Sequence, residues 1–404
     1  MACGLLIGMR PFSGKEDCSM SVQDIGTGCI NSGRLESQVG RAFGQRIAWA
    51  DLAKGWTIAL VVIMHSSLGV SGQLGEVGWL HQLVVFAKPF RMPDFFLVAG
   101  LFAGVAVNRS WLTLLDRRVL HFAYFYLLWA LILIVLKVGV ESRGNFDAVV
   151  AQIARSIFEP FSALWFIYVL PAMFLTVRLA AGLPSWAILF AAGCCHLVAA
   201  NSLEQSPYAL SSHLSGWFPL DSYMLFIVFF LAGHYGRDVI FRFAGMAAAC
   251  PVRAAIGLGV WGAAHGLAIK SGVSDVPGVT LVAGLAGALA VIAVSALLAR
   301  FWWMHWLAAI GQRSLVIYLS FTIPMAAMRI ALIQTGAIAD VGWMSAIISI
   351  FALTTPLALA SWVRGTPLAF LFTRPKWARL PKQAGLEPEG PRFSGTRPNR
   401  LGEQ

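Results

Sequence analysis

Lys54 and His65 are the first residues in the chain whose types and spacing suggest chemistry. Both lie in WADLAKGWTIALVVIMHSSLGV, residues 49–70, an apolar segment long enough to span a bilayer. Eleven residues of α-helix place two side chains within about 20° of one face and roughly 16 Å apart along the axis. Ionisable groups inside a membrane are costly, so they need a partner, a wet cavity or a function. Because neutral imidazole can take a proton from a hydroxyl group near pH 7, His65 is a candidate general base.

Asp51 lies one helical turn before Lys54 and is expected to pair with it. An interfacial ion pair, with Lys54 extending towards the membrane surface, explains these two residues equally well. His65 by itself is compatible with a hydrogen-bonded structural histidine. A catalytic interpretation therefore requires further polar groups at the depth of His65.

The second apolar segment supplies such groups in KPFRMPDFFLVAG, residues 88–100. Lys88, Arg91 and Asp94 recur at three-residue intervals beside two prolines, which is difficult to reconcile with a helix that faces lipid. One interpretation is an Arg91–Asp94 ion pair that closes a kink. We favour a polar cavity shared with the first span, because a span running in the opposite direction brings Lys88 and Arg91 to about the depth of His65.

Two further pairs of residues have two interpretations each. Arg117 and Arg118 precede LHFAYFYLLW and indicate either a basic membrane anchor with an aromatic belt or a binding site for the phosphate groups of a cofactor. Trp165 and Tyr168 in LWFIY indicate either an aromatic belt or a flat surface for a sugar. The histidines and cysteines show no spacing typical of ligands, so no metal site is predicted.

The elements that must position these residues are membrane-spanning helices. Of 404 residues, 58% are hydrophobic and only 12% are charged, whereas soluble domains carry about a quarter charged residues. The predicted fold is therefore an all-α polytopic bundle of about ten transmembrane helices that contacts membrane lipid. The predicted spans lie near residues 48–70, 83–107, 119–140, 162–181, 185–202, 222–240, 252–270, 278–299, 313–333 and 341–363.

The distribution of basic residues predicts the topology. With ten spans, 22 of the 30 Lys and Arg residues fall on the side of the two termini, and only Arg143, Arg155 and Lys270 fall on the other. This asymmetry predicts that both termini are cytoplasmic. The same asymmetry accounts for the net charge of +11. The sequence shows no basic groove typical of nucleic-acid binding. We predict a flexible cytoplasmic leader at 1–45, a membrane domain at 46–365 and a disordered cytoplasmic tail at 366–404.

Several segments resemble the membrane-bound acyltransferase 3 family. RIAWADLAKGWTIALVVIMH is similar to the opening of this family, in which a basic residue, here Lys54, precedes a histidine, here His65, by eleven positions. The Asp-x-x-Lys-Gly form is similar to the sugar O-acetyltransferase members, such as the fucose 4-O-acetylase-like group. LWFIYVL and GQRSLVIYLSF resemble later family motifs, although Phe321 stands where many members have histidine. FRMPDFFLVAG matches a second motif at Arg91, Met92, Pro93, Phe95, Phe96 and Gly100 and departs from it at Asp94 and Ala99.

The resemblance implies O-acyl transfer from acetyl-CoA, or another acyl-CoA, to a hydroxyl of a carbohydrate or glycolipid in the cell envelope. It implies location in a bacterial inner membrane. His65 would act as general base or carry the acyl group covalently. Arg91 would stabilise the oxyanion, and Lys54 with Asp51 would set the local electrostatics or contact CoA. We expect Lys88, Arg117 and Arg118 to bind the donor, and Asp94, Trp165 and Tyr168 to bind the acceptor.

A secondary transporter or exporter of a small polar solute is the alternative function. Ten spans, a proline-broken second span and intramembrane charges are also typical of transporters. That alternative predicts inverted repeats, which the sequence does not show, and gives no reason for the two motifs to occur together.

Overall fold

The computed structural model describes residues 47–203 and 217–380 and shows an all-α polytopic bundle, as predicted. The predicted leader 1–45, residues 204–216 and the tail residues 381–404 lie outside the described residues. The α-helices are α1 (Ala48–Leu74), α2 (Leu80–Leu101), α3 (Ala103–Val107), α4 (Trp111–Leu114), α5 (His121–Glu141), α6 (Phe146–Ser156), α7 (Trp165–Leu179), α8 (Ser185–Leu203), α9 (Phe218–Tyr235), α10 (Arg237–Ala249), α11 (Pro251–Lys270), α12 (Pro277–Leu298), α13 (His305–Gln312), α14 (Ser314–Ser320), α15 (Thr322–Thr335) and α16 (Val341–Trp362).

Among the described residues, seven helices are long and apolar enough to cross a membrane, and a bent pair makes eight. The pair is α14 and α15, which meet at an angle of 54°. Two of the ten predicted spans correspond to helices outside this set. The predicted span 83–107 is α2, which carries three charged residues and ends at Leu101. The predicted span 185–202 is α8, whose apolar part is shorter than the helices that could cross a membrane.

The centre of the bundle is built from α1 and α2, which pack against each other. Helices α9 and α12 pack on α2, while α13 and α16 pack on α1. We use "basic end" for the end of the bundle where α1 begins and α16 ends, and "far end" for the end where α1 stops at Leu74. Helix α11 differs from the other spans, since His265 is its one buried residue in the described part of the chain.

Glycines allow α1 and α13 to approach at backbone distance. A Cβ atom on Gly55 would meet the backbone carbonyl of Leu307, and a Cβ atom on Gly311 would meet the backbone carbonyl of Asp51. Close backbone contact through small residues is a common way to join helices in membranes, where no hydrophobic force drives helix association. This contact fixes the first turns of α1, which carry Asp51 and Lys54.

We predict that Gly311→Ala lowers the free energy of unfolding by about 1–3 kcal/mol, because the added methyl group meets backbone that has no room to move. The matched control is Gly259→Ala, since a Cβ atom on that residue of α11 would meet nothing within 4 Å. Thermal unfolding of both variants in the same detergent measures the difference. Equal stabilities would contradict the close packing of α13 on α1.

Candidate active site

The basic end contains a cavity of about 400 Å³ that is lined by three cations. Lys54 of α1 lines it together with Arg117 and Arg118. The guanidinium of Arg118 lies 4.7 Å from the ring centroid of Phe174. Among the described residues that line this cavity there is no carboxylate, so it is suited to an anionic ligand. We call it the basic-end cavity.

Arg117 and Arg118 reach this cavity from a π-helical turn, Leu115–Leu120, between α4 and α5. A π-helical turn is wider than an α-helical turn and is frequent at functional sites. The next residue, His121, also lines the cavity. Nothing in the spacing of LDRRVL distinguishes this turn from ordinary α-helix, so the sequence did not predict it.

Lys54 lies at the basic end of α1, as its position in the sequence implies. Its Nζ is 3.8 Å from the Oδ1 of Asp51 and 4.9 Å from the ring centroid of Phe102. Lys54 and Arg118 are close enough to interact electrostatically. The Asp51–Lys54 pair expected from their spacing is therefore present, and Lys54 is directed to the cavity wall rather than to lipid.

His65 lies deeper in the bundle and contacts Phe321. The ring centroids of the two residues are 5.4 Å apart, and Phe321 is fully buried. Arg91 of α2 is buried and interacts electrostatically with His65. The structure thus brings together the histidine of the first motif, the arginine of the second motif and the phenylalanine of the last one.

Arg91 also lines a second cavity, of about 280 Å³, which we call the far-end cavity. Lys88 lines it as well, and its Nζ is 2.8 Å from the Oδ1 of Asp275. The structure therefore places Lys88 in a different cavity from Arg117 and Arg118, although the sequence grouped all three as donor-binding residues.

Three polar residues of the far-end cavity, His196, Asp275 and Thr280, were not singled out from the sequence. His196 lies 2.7 Å through Nδ1 from the carbonyl of Leu225 and 3.1 Å through Nε2 from Oγ1 of Thr280. His196 and Thr280 line the cavity together with Asp275. The sequence signal that could have identified His196 is its position within an apolar segment. No sequence signal identifies Asp275, which lies between α11 and α12, or Thr280, which lies in the first turn of α12.

Asp94 connects α2 to α1. Its carboxyl group accepts a hydrogen bond from the hydroxyl of Thr57, and Thr57 lines the basic-end cavity. Asp94 is 1% exposed, and its Oδ1 has no hydrogen-bond partner among the described residues. Asp94 itself lines neither the basic-end cavity nor the far-end cavity. Its predicted contact with the acceptor stays a prediction.

Trp165 and Tyr168 occupy different surroundings. Trp165 packs against Phe226, with ring centroids 5.7 Å apart, and Phe226 lines the far-end cavity. Tyr168 donates a hydrogen bond to the carbonyl of Ile157 at 2.9 Å. Trp165 therefore supports an aromatic wall of the far-end cavity, whereas Tyr168 ties α7 to the residue that follows α6. Their predicted role in sugar binding stays a prediction.

Tyr318 of GQRSLVIYLSF lines the basic-end cavity and was missed as a site residue. Its hydroxyl donates to the carbonyl of Ala163 and accepts from the backbone N–H of Phe166 at 3.1 Å. It therefore fixes the start of α7 against α14.

The residues that the structure describes, 47–203 and 217–380, contain no group of three His, Cys, Asp or Glu side chains that could hold a metal ion.

Comparison with known protein families identifies a match for most of the chain. Residues 47–363 match the model of the acyltransferase 3 family, described as an acyltransferase domain. The match covers more than three quarters of the 404 residues and includes both cavities, so it favours an enzyme over a transporter. No curated protein and no solved structure matches the chain.

We predict that Thr57→Val lowers the free energy of unfolding by about 1–3 kcal/mol, because it removes the hydroxyl that donates a hydrogen bond to the buried Asp94 carboxyl. The double variant Thr57→Val/Asp94→Leu should recover most of this loss, since replacing both polar partners by apolar groups is nearly neutral. Thermal unfolding in one detergent measures both. A double variant less stable than Thr57→Val would contradict the pairing.

Proposed function

The chain belongs to the acyltransferase 3 family, and we propose that this integral membrane acyltransferase moves an acyl group from acyl-CoA to a hydroxyl of a carbohydrate or glycolipid of the cell envelope. The acyl group proposed first is acetyl. The observation that carries the proposal is the basic-end cavity with its three cations, one of which, Lys54, lies on the same central helix pair as His65 and Arg91.

The basic-end cavity is the proposed donor site. The phosphate groups of CoA are multiply charged anions, and Arg recognises phosphate through paired N–H groups while Lys binds it as a point charge. A volume of about 400 Å³ lies within the usual range of small-molecule sites. The excess of basic residues at this end supports its assignment to the cytoplasm of a bacterial inner membrane, with both termini cytoplasmic.

The far-end cavity is the proposed acceptor site. Asp275, Thr280 and His196 offer hydrogen-bonding groups for sugar hydroxyls, and Phe226 offers an apolar face. Arg91 lines this cavity and interacts electrostatically with His65, so an acceptor bound there would contact the residue that connects the cavity to His65. Acceptor and donor would thus approach His65 from opposite ends of the bundle.

In the proposed reaction, His65 takes the proton of the acceptor hydroxyl as that oxygen attacks the thioester carbonyl carbon. The new C–O bond forms and the carbonyl electrons move to oxygen, where the guanidinium of Arg91 stabilises the negative charge. The C–S bond then breaks, and the CoA thiolate receives the proton from the imidazolium of His65. The products are an ester and free CoA, with the histidine returned to its starting form.

We predict that His65→Ala lowers kcat/KM for acyl transfer by about 10²–10⁴-fold and Arg91→Ala by about 10²–10³-fold. Membranes that contain each variant are supplied with labelled acetyl-CoA, and ester-linked label is measured in glycans. His305→Ala is the matched control, because that histidine is exposed at the basic end. Undiminished labelling by the His65 variant would contradict the mechanism, and absence of transfer by the parent protein would contradict the proposed function.

We predict that Arg118→Gln raises KM for acetyl-CoA about tenfold or more, the effect of losing one charge-assisted hydrogen bond. The values of kcat and of KM for the acceptor should change little, because the phosphates are remote from the reacting atoms. Arg300→Gln is the matched control, since Arg300 is exposed and does not line the cavity. Equal donor KM values for the two variants would remove Arg118 from the donor site.

A further inference from the structure

Residues 366–380 lie beyond the matched domain 47–363, yet they pack on the basic end of the bundle. We call them the strap. They contain the 3₁₀ turns Pro367–Leu371 and Lys376–Ala378, with Arg374 between them. Arg374 is 7% exposed, although the sequence predicted this stretch as the start of a disordered tail. A buried guanidinium in such a segment must be matched by an anion or by carbonyl groups, because burying an unpaired charge is very costly.

Asp116 is the partner of Arg374. One guanidinium nitrogen donates to the backbone carbonyl of Asp116 at 2.6 Å, and another forms an ion pair with the Asp116 carboxylate. The backbone N–H of Leu380 donates to the same carboxylate at 2.9 Å. The strap thus bonds one residue at both its backbone and its side chain, which fixes the orientation of that residue as well as its position.

Two hydrogen bonds and a ring contact also hold the strap along α5. Tyr124 donates to the carbonyl of Phe370 at 3.1 Å, and the indole N–H of Trp129 donates to the carbonyl of Leu371 at 2.9 Å. The ring of Trp129 also packs on Phe372, with centroids 5.5 Å apart. The strap is therefore bound independently of Arg374, so loss of that residue alone need not release it.

Asp116 belongs to the π-helical turn Leu115–Leu120, and the two residues that follow it are Arg117 and Arg118. His121, which lines the basic-end cavity, interacts electrostatically with Arg374, Arg118 and Asp116. The contact between the strap and the turn is therefore next to the cavity wall. A carboxylate this close to two cavity arginines would attract them if its own cation were removed.

We propose that Arg374 is a positioning residue of the donor site. It holds Asp116, fixes the π-helical turn that directs Arg117 and Arg118 into the basic-end cavity, and occupies the Asp116 carboxylate so that both arginines remain available to an anion. This inference rests on the proposed function, because the anion it serves is the phosphate portion of acyl-CoA.

The test compares Arg374→Gln with Lys376→Gln, which removes the same charge from an exposed position of the strap. Arg374→Gln should raise KM for acetyl-CoA about tenfold, as expected for one lost charge-assisted contact, and leave kcat within about twofold. Lys376→Gln should match the parent. A merely structural role would lower kcat and leave the donor KM unchanged. That result, or equal donor KM values for the two variants, would overturn the proposal.

A second measurement separates this proposal from the proposed function. Hydrogen exchange of backbone amides in 115–121 should be faster in Arg374→Gln than in Lys376→Gln when no donor is present. Unchanged exchange would overturn the proposed role of Arg374 in fixing the π-helical turn. If the parent protein transfers no acyl group but Arg374→Gln still speeds exchange, the proposed function fails while the contact between strap and turn stands.

Discussion

Charged side chains of a membrane helix cannot face lipid, and the arrangement of this bundle follows from that constraint. Helices α1 and α2 carry Lys54, His65, Arg91 and Asp94, so both must lie at the centre. Four other helices close around them, and α13 approaches α1 at backbone distance through Gly311. Lys54 of α1 lines one cavity and Arg91 of α2 lines the other, so both cavities adjoin this helix pair, one at each end.

The same constraint explains why the sequence predicted much of the candidate site. A charge in an apolar segment marks a buried position without any alignment, and helical geometry gives its depth. The Asp51–Lys54 pair and the proximity of Arg91 to His65 could be derived in this way, and the structure contains both. The all-α membrane bundle followed from the composition together with the lengths of the apolar segments.

The sequence predicts the depth of a residue along a helix, but it does not predict how the helix is rotated or which distant residue becomes its partner. Lys88 was grouped with Arg117 and Arg118 as a donor-binding residue, yet it pairs with Asp275, which is 187 residues away. That pairing depends on how α11 and α12 return to α2, which no local pattern encodes. The Pro and Arg content of the strap likewise predicts a disordered tail, since no local pattern encodes the contact of Arg374 with Asp116, which is 258 residues away.

The structure shortens the path that the proposed donor, bound at the basic end, would have to cover to reach His65. The spacing of Lys54 and His65 alone suggested roughly 16 Å of separation. The basic-end cavity, however, extends past Lys54 to Tyr318, and Phe321, only three residues further along the chain, packs on His65. Three residues correspond to about 4.5 Å of helical rise.

In the proposed reaction, the acyl arm therefore has to pass only this short aromatic boundary once the phosphates are held. A buried phenylalanine there, where many family members have histidine, makes the boundary apolar. An apolar boundary keeps water from the thioester until the acceptor hydroxyl is in place, which favours transfer over hydrolysis.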